Sequence, residues 1–179
     1  MAIYFDMDGV LADFRTGVEQ LGVPYVPPET TDKKADDAVW DAIRATPGFY
    51  ANLPAIPSGV RLFKDLQAAG ENPEILTAVP KPHHDIKNAP ADKIEWNREH
   101  LGPGVTTHIC LRAEKQRFCK GPEDILIDDQ ARNINEWQAS GGTGVLFQGA
   151  ATKLPPRLEL KLQIAGEDKN TTQTEPEYA

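Results

Sequence analysis

Only two cysteines, Cys110 and Cys119, occur in the 179 residues of this chain. They have no metal-ligand companions at useful spacing and are too few for a disulfide framework, so ordinary reduced thiols are expected. No apolar run approaches the roughly twenty residues that a membrane span needs, which removes the helical membrane classes. Positive charge is also short: 19 Lys and Arg stand against 27 Asp and Glu, a formal net charge of −8. A long nucleic-acid backbone is therefore an unfavourable partner, because tight binding there depends on clustered Lys and Arg that release counterions. No basic region precedes the first apolar run, so no leader peptide is expected and a cytoplasmic location is the default.

What is present is the composition of a globular chain, 40% hydrophobic and 26% charged, with a length that suits one domain and a small insertion. Its most informative stretch comes first. Ile3, Tyr4 and Phe5 are strand-like and deliver Asp6-Met7-Asp8-Gly9, after which Val10, Leu11 and Phe14 lead into a helical pattern. That is a strand ending in an acidic loop.

The remainder alternates. Helices are expected over 12–20, 35–45, 58–70, 90–101, 113–119 and 131–139, and strands over 73–76, 106–111, 124–127 and 144–147. Between the first helix and Pro54, residues 22–54 hold several prolines and one short helix, the size of a small lid. The domain reading is a core formed by 1–21 and 55–150, a small and mainly helical cap over 22–54, and a C-terminal segment over 151–179. In that last segment Leu154, Leu158, Leu160 and Leu162 suggest one more amphipathic piece, and disorder is expected from about residue 166.

Strands alternating with helices predict an α/β fold, a Rossmann-like parallel sheet covered on both faces. Right-handed crossovers then place every strand's carboxyl end on one edge, where ligands bind in open α/β sheets. Asp6 and Asp8 occupy one such end, Thr77 another, Asp128 and Asp129 a third, and Lys115 lies just beyond a fourth, with Lys120 near enough to take its place.

Clustered carboxylates make a hard-oxygen site suited to Mg²⁺, and no loop of alternating ligands supports calcium. Beside a phosphate, Asp6 can act as nucleophile and Asp8 as the acid that protonates the leaving oxygen and later the base that activates water. Thr77 offers a hydroxyl and the backbone after it offers amides. Lys115 offers a positive charge for the phosphoryl transition state, and Gly9 removes a side chain from the phosphate's path. His83-His84 reads as a solvated loop, Asp13 as a helix brace, and Trp96 and Trp137 as core.

Asp6-Met7-Asp8-Gly9-Val10-Leu11, Leu76-Thr77, Lys115 and Leu126-Ile127-Asp128-Asp129 resemble the four ordered motifs of haloacid dehalogenase superfamily phosphatases. The longer stretches 8–14 and 125–129, together with Asn133, Trp137, Gly141-Gly142 and 144–147, resemble the 5′(3′)-deoxyribonucleotidase family. The resemblance implies Asp6 as nucleophile, Asp8 as acid/base that lends its carbonyl to Mg²⁺, and Asp129 as the other direct ligand. Asp128 would be outer-shell or bonded to the lysine. It further implies that Thr77, Ala78, Lys81 and Lys115 hold phosphate, that Phe14 meets a nucleobase, and that Trp40 with Phe49 or Tyr50 completes an aromatic pocket. Ala78 and Gln130 depart from the usual serine and arginine.

The expectation is thus a Mg²⁺-dependent hydrolase of nucleotide metabolism, a phosphatase of (deoxy)nucleoside monophosphates working through a phosphoaspartyl intermediate. Its partner would be a small phosphomonoester, with a homodimer compatible and neither membrane nor long nucleic acid involved. Two alternatives stand beside it: a phosphatase of another small phosphometabolite or of an oligonucleotide 3′ phosphate, and a non-catalytic nucleotide-binding protein.

Overall fold

Ile3–Phe5 forms β1, the central strand of a five-stranded, all-parallel sheet in the order β3-β2-β1-β4-β5. The computed structural model describes residues 1–172. The other strands are β2 (Pro73–Ala78), β3 (Thr107–Cys110), β4 (Ile125–Asp128) and β5 (Thr143–Leu146). Parallel strands require crossovers, and helices supply them: α1 (Phe14–Gln20), α2 (Lys33–Arg44), α3 (Pro57–Ala68), α4 (Ala89–Leu101) and α5 (Ala131–Ala139), with α6 (Pro156–Thr172) closing the series. Three 3-10 segments lie between them, Tyr50–Asn52, Pro82–His84 and Arg112–Phe118.

Side-chain alternation along the strands produces two cores, one per face. Ile3, Phe5, Ile75, Ile125, Ile127 and Val145 pack with Phe63 and Leu66 of α3, Trp96 and Leu101 of α4, and Leu158 of α6. Tyr4, Leu76 and Leu126 point the other way, against Ile134 and Trp137 of α5. The expected α/β architecture with helices on both faces is therefore present. Residues of the segment 22–54 join the first core through Val39, Ile43, Phe49, Tyr50 and Leu53, and the indole N–H of Trp96 donates to the Leu53 carbonyl at 2.8 Å.

Phe5 pairs with Ile75 on one side and with Ile127 on the other. Asp6, Thr77 and Asp128 consequently leave three adjacent strands at the same edge, where the strand order reverses. β2 runs two residues further than the sequence pattern suggests, because Thr77 and Ala78 still pair with Ile109 and Cys110.

The C-terminal segment corrects one expectation. Residues 166–172, expected to lack order, continue α6. Leu158 is fully buried and Leu154 and Leu162 pack on the core, while Arg157 and Lys161 both reach Glu71. A helix so anchored extends by one hydrogen bond per added residue, far more cheaply than it starts. Leu160, grouped with those leucines by spacing, faces solvent. The part of the expectation that concerns 173–179 lies outside the described residues.

Candidate active site

The loop after β1 is a closed turn. The amides of Leu11 and Ala12 donate to the Met7 carbonyl at 2.8 and 2.9 Å, and the Gly9 amide donates to Ala12 at 2.8 Å. Gly9 has φ +81°, and a Cβ there would lie 2.2 Å from Asp129 Oδ2. Only glycine meets both demands, the left-handed backbone and the close approach. Asp13 then caps α1, accepting from the Thr16 amide at 2.9 Å and from its hydroxyl at 2.8 Å.

Asp6 is buried, and its Oδ1 accepts from the Met7 amide at 2.8 Å and from Lys115 Nζ at 2.8 Å. Lys115, in the 3-10 segment Arg112–Phe118, also donates to Asp128 Oδ2 at 2.7 Å. One ammonium thus joins the ends of β1 and β4. Burial pushes the Asp6 carboxyl up to about 7 against the opposing pull of Lys115, with Asp128 and Asp8 adding to the rise. Burial works against the Lys115 charge, but Asp6 and Asp128 outweigh it and hold the ammonium above its usual range.

Asp129 follows at the rim. Loss of water around the carboxyl, together with Asp6 and Asp128, pushes it up to about 8, while the residue as a whole remains open to solvent. One oxygen from each of Asp6, Asp128 and Asp129 lies within 4.8 Å of the others. Three carboxylates around a single ammonium are under-neutralised, and the two raised carboxyls register that imbalance. Hard oxygens in this number fit a divalent cation such as Mg²⁺.

Asp8 turns away from that cluster. Its Oδ2 accepts from Lys93 Nζ at 2.6 Å, while its Oδ1 is buried with no partner among the described residues. Lys93 is fully buried on α4, donates also to Thr77 Oγ1 at 3.0 Å, and sits 4.6 Å from the centre of the Tyr50 ring. Sequence reasoning missed this lysine. The signal was available: Ala89, Lys93, Trp96 and Asn97 share the buried face of α4, and a lysine inside such a stripe needs a charged partner.

The remaining expected residues divide. Thr77 is fully buried at the site through Lys93, and Ala78 ends β2 beside it. Lys81 is exposed, and its side chain makes no ion pair among the described residues. Phe49 and Tyr50 are corrected: both are core residues, 6% and 2% exposed, and neither presents a free ring. Phe14 and Trp40 remain half-buried, 6.4 Å apart. Trp40 is stacked at 4.1 Å on His84, so the segment expected to be a solvated loop is covered there by α2, and Arg44 Nε donates to the His84 carbonyl at 2.9 Å.

A 5′(3′)-deoxyribonucleotidase of Bordetella pertussis, provisionally so named, is 30% identical over 144 residues, 73% of this chain and 74% of that one. The human "5′(3′)-deoxyribonucleotidase, cytosolic type" is 28% identical over 170 residues, 81% of this chain and 78% of its own. Among solved structures, a HAD family hydrolase from Deinococcus radiodurans R1 aligns over 89% of this chain and 87% of its own, with 16% identity and a TM-score of 0.45, a likeness too loose to weigh in the assignment. The family profile described as "5′ nucleotidase, deoxy (Pyrimidine), cytosolic type C protein" matches residues 1–153, and the chain belongs to that family.

Proposed function

We propose that this chain is a Mg²⁺-dependent phosphatase that hydrolyses (deoxy)nucleoside monophosphates to nucleoside and phosphate. The observation that carries the reading is the pair of neighbouring carboxylates in unlike settings: Asp6 held by Lys115 at 2.8 Å, and Asp8 held by Lys93 through one oxygen with the other left free. Unlike environments let two like groups take different chemical parts.

Asp6 attacks phosphorus, a bond forms from its carboxylate oxygen, and the bond to the nucleoside oxygen breaks as Asp8 supplies that oxygen with a proton. Asp8 then removes a proton from the water that attacks the phosphoaspartyl group, which restores Asp6 and releases phosphate. Asp6, Asp129 and the Asp8 carbonyl would hold Mg²⁺, which when bound offsets phosphate charge and aligns the phosphoryl group. Thr77 Oγ1 accepts from Lys93, so its own hydrogen remains for a phosphate oxygen, next to the backbone of Ala78. Lys115 supplies the fixed positive charge, and Lys93, rather than the exposed Lys81, supplies the second. Residues 22–54 serve as a small cap over the core of 1–21 and 55–150, with Phe14 and Trp40 as its rings toward a base. A cytoplasmic site of action is supported by the name of the human relative and by the scarcity of cysteine.

A second reading, a phosphatase of a smaller phosphometabolite, is favoured by one feature: His84 covers a face of Trp40 and leaves less aromatic surface for a base. Phosphate release across a panel of 5′- and 3′-nucleoside monophosphates and sugar phosphates, with and without Mg²⁺, separates the two. The expected result is Mg²⁺-dependent release from nucleotides that Asp6→Asn abolishes. Release that persists in Asp6→Asn overturns the mechanism, and a strong preference for sugar phosphates overturns the substrate.

A further inference from the structure

Behind Lys115 lies a second layer of polar contacts that the reaction itself does not use. Asn133 on α5 is 3% exposed, and its Nδ2 donates to both oxygens of Asp128, at 3.1 and 2.9 Å. Its Oδ1 accepts from Arg112 Nη1 at 3.0 Å. Shape alone does not distinguish the two ends of an amide, but a guanidinium only donates, so the atom facing Arg112 must be the oxygen. Arg112 thereby fixes the amide with its hydrogens toward Asp128. The same nitrogen of Arg112 reaches Glu136 Oε2 at 2.8 Å, and Arg132 holds the other oxygen of Glu136 at 3.1 Å.

Asp128 is consequently saturated. Its Oδ1 accepts from the Gln130 amide at 2.8 Å and from Asn133, and its Oδ2 accepts from Lys115 and from Asn133. A carboxylate has about four acceptor positions, and all are occupied by protein donors. Distance alone groups Asp128 with Asp6 and Asp129 as a third ligand; its hydrogen bonds give it a different task.

We propose that Asn133, oriented by Arg112, is a positioning residue that commits Asp128 to Lys115 and so holds the lysine ammonium against the phosphoryl group. Arg112 and Lys115 belong to the same 3-10 segment, three residues apart, so that segment is fastened to the end of β4 at one point and to α5 at another. The proposal rests on the phosphatase reading of Asp6 and Lys115 and adds two residues to it.

The test uses the full chain and two probes, Mg²⁺ alone and inorganic phosphate in saturating Mg²⁺, each titrated calorimetrically, beside turnover of the nucleotide panel by the wild type. Asn133→Leu keeps the volume and removes the donors. It is expected to weaken phosphate by roughly 10- to 100-fold while Mg²⁺ affinity changes by no more than about threefold. Arg112→Met, at a side chain 30% exposed whose partner Glu136 retains Arg132, keeps the fold and should weaken phosphate in the same direction by several-fold. Arg112→Lys should recover part of that loss. A fall in Mg²⁺ affinity as large as the fall for phosphate overturns the proposal, and so does wild-type phosphate binding in Arg112→Met. A wild type that turns over no phosphomonoester fails the phosphatase reading itself, and is told apart from the other outcomes by that assay.

Discussion

The Lys93 ammonium meets Asp8 Oδ2 at 2.6 Å inside the protein, where the lysine is wholly buried while the Asp8 side chain keeps 27% of its surface. That inequality makes the two halves of the pair respond differently to removal. In Lys93→Met an apolar chain of similar length fills the space and Asp8 still reaches water, so the melting temperature should hold to within a few degrees. Loss of the positive charge beside Asp8 and Thr77 should lower kcat about 100-fold. In Asp8→Leu the buried lysine loses its counter-charge, at a cost of about 3 kcal/mol. Urea unfolding of both variants with kcat for the first checks the asymmetry; equal destabilisation by the two would contradict it.

Gly9→Ala places a Cβ 2.2 Å from Asp129 Oδ2 on a backbone at φ +81°. The left-handed conformation alone costs about 1–2 kcal/mol, which the fold should survive. Displacement of the Asp129 carboxylate should not be survivable for the cation site. Circular dichroism is expected to remain native while calorimetric Mg²⁺ binding disappears.

Gly59 opens a second comparison. Alanine in a helix ordinarily gains up to about 1 kcal/mol over glycine. Here its Cβ would stand 1.8 Å from the carbonyl oxygen of Val10, a backbone atom that cannot rotate aside, and overpacking costs about 1–3 kcal/mol. Gly59→Ala should therefore destabilise, and an unchanged urea midpoint would show that α3 can slide off the acidic loop.

His84 carries a pH prediction. Burial against Trp40 lowers its imidazole below 6.5, reinforced by His83, Lys81 and Arg44 and opposed by Asp36. The folded state thus prefers the neutral ring. Its contribution is intact above pH 6.5 and is lost as pH falls through the lowered folded value. Fluorescence of Trp40, with Trp40→Phe as the blank, should change over that range, and His84→Phe should retain the stack and remove the pH dependence.

The acidic loop, the helix-strand alternation and the convergence of Asp6, Thr77, Lys115 and Asp128 on one edge were legible in the sequence because each rests on local pattern plus the handedness of parallel crossovers. Lys93 was not, since its meaning depends on α4 packing its buried face over the end of β2 and beside Tyr50, a relation between distant segments. Two of the four aromatics depart from expectation for the opposite reason. Phe49 and Tyr50 have the composition of a base pocket, but composition does not say which side of a ring will be covered, and here the core covers both. The end of α6 was misread because polar residues without periodicity can still prolong a helix anchored upstream, by Leu158 in this case.

The insertion is fastened unequally at its two sides. Phe49, Tyr50 and Leu53 are seated as deeply as the sheet, with the Leu53 carbonyl tied to Trp96, whereas α2 buries only Val39 and Ile43 in that core and meets His84 through Arg44 and Trp40. If this segment is the cap proposed above, changes at the exposed positions of α2 would alter which molecules are admitted while the carboxylates below stay where they are, so that appetite and chemistry are free to diverge on the same scaffold.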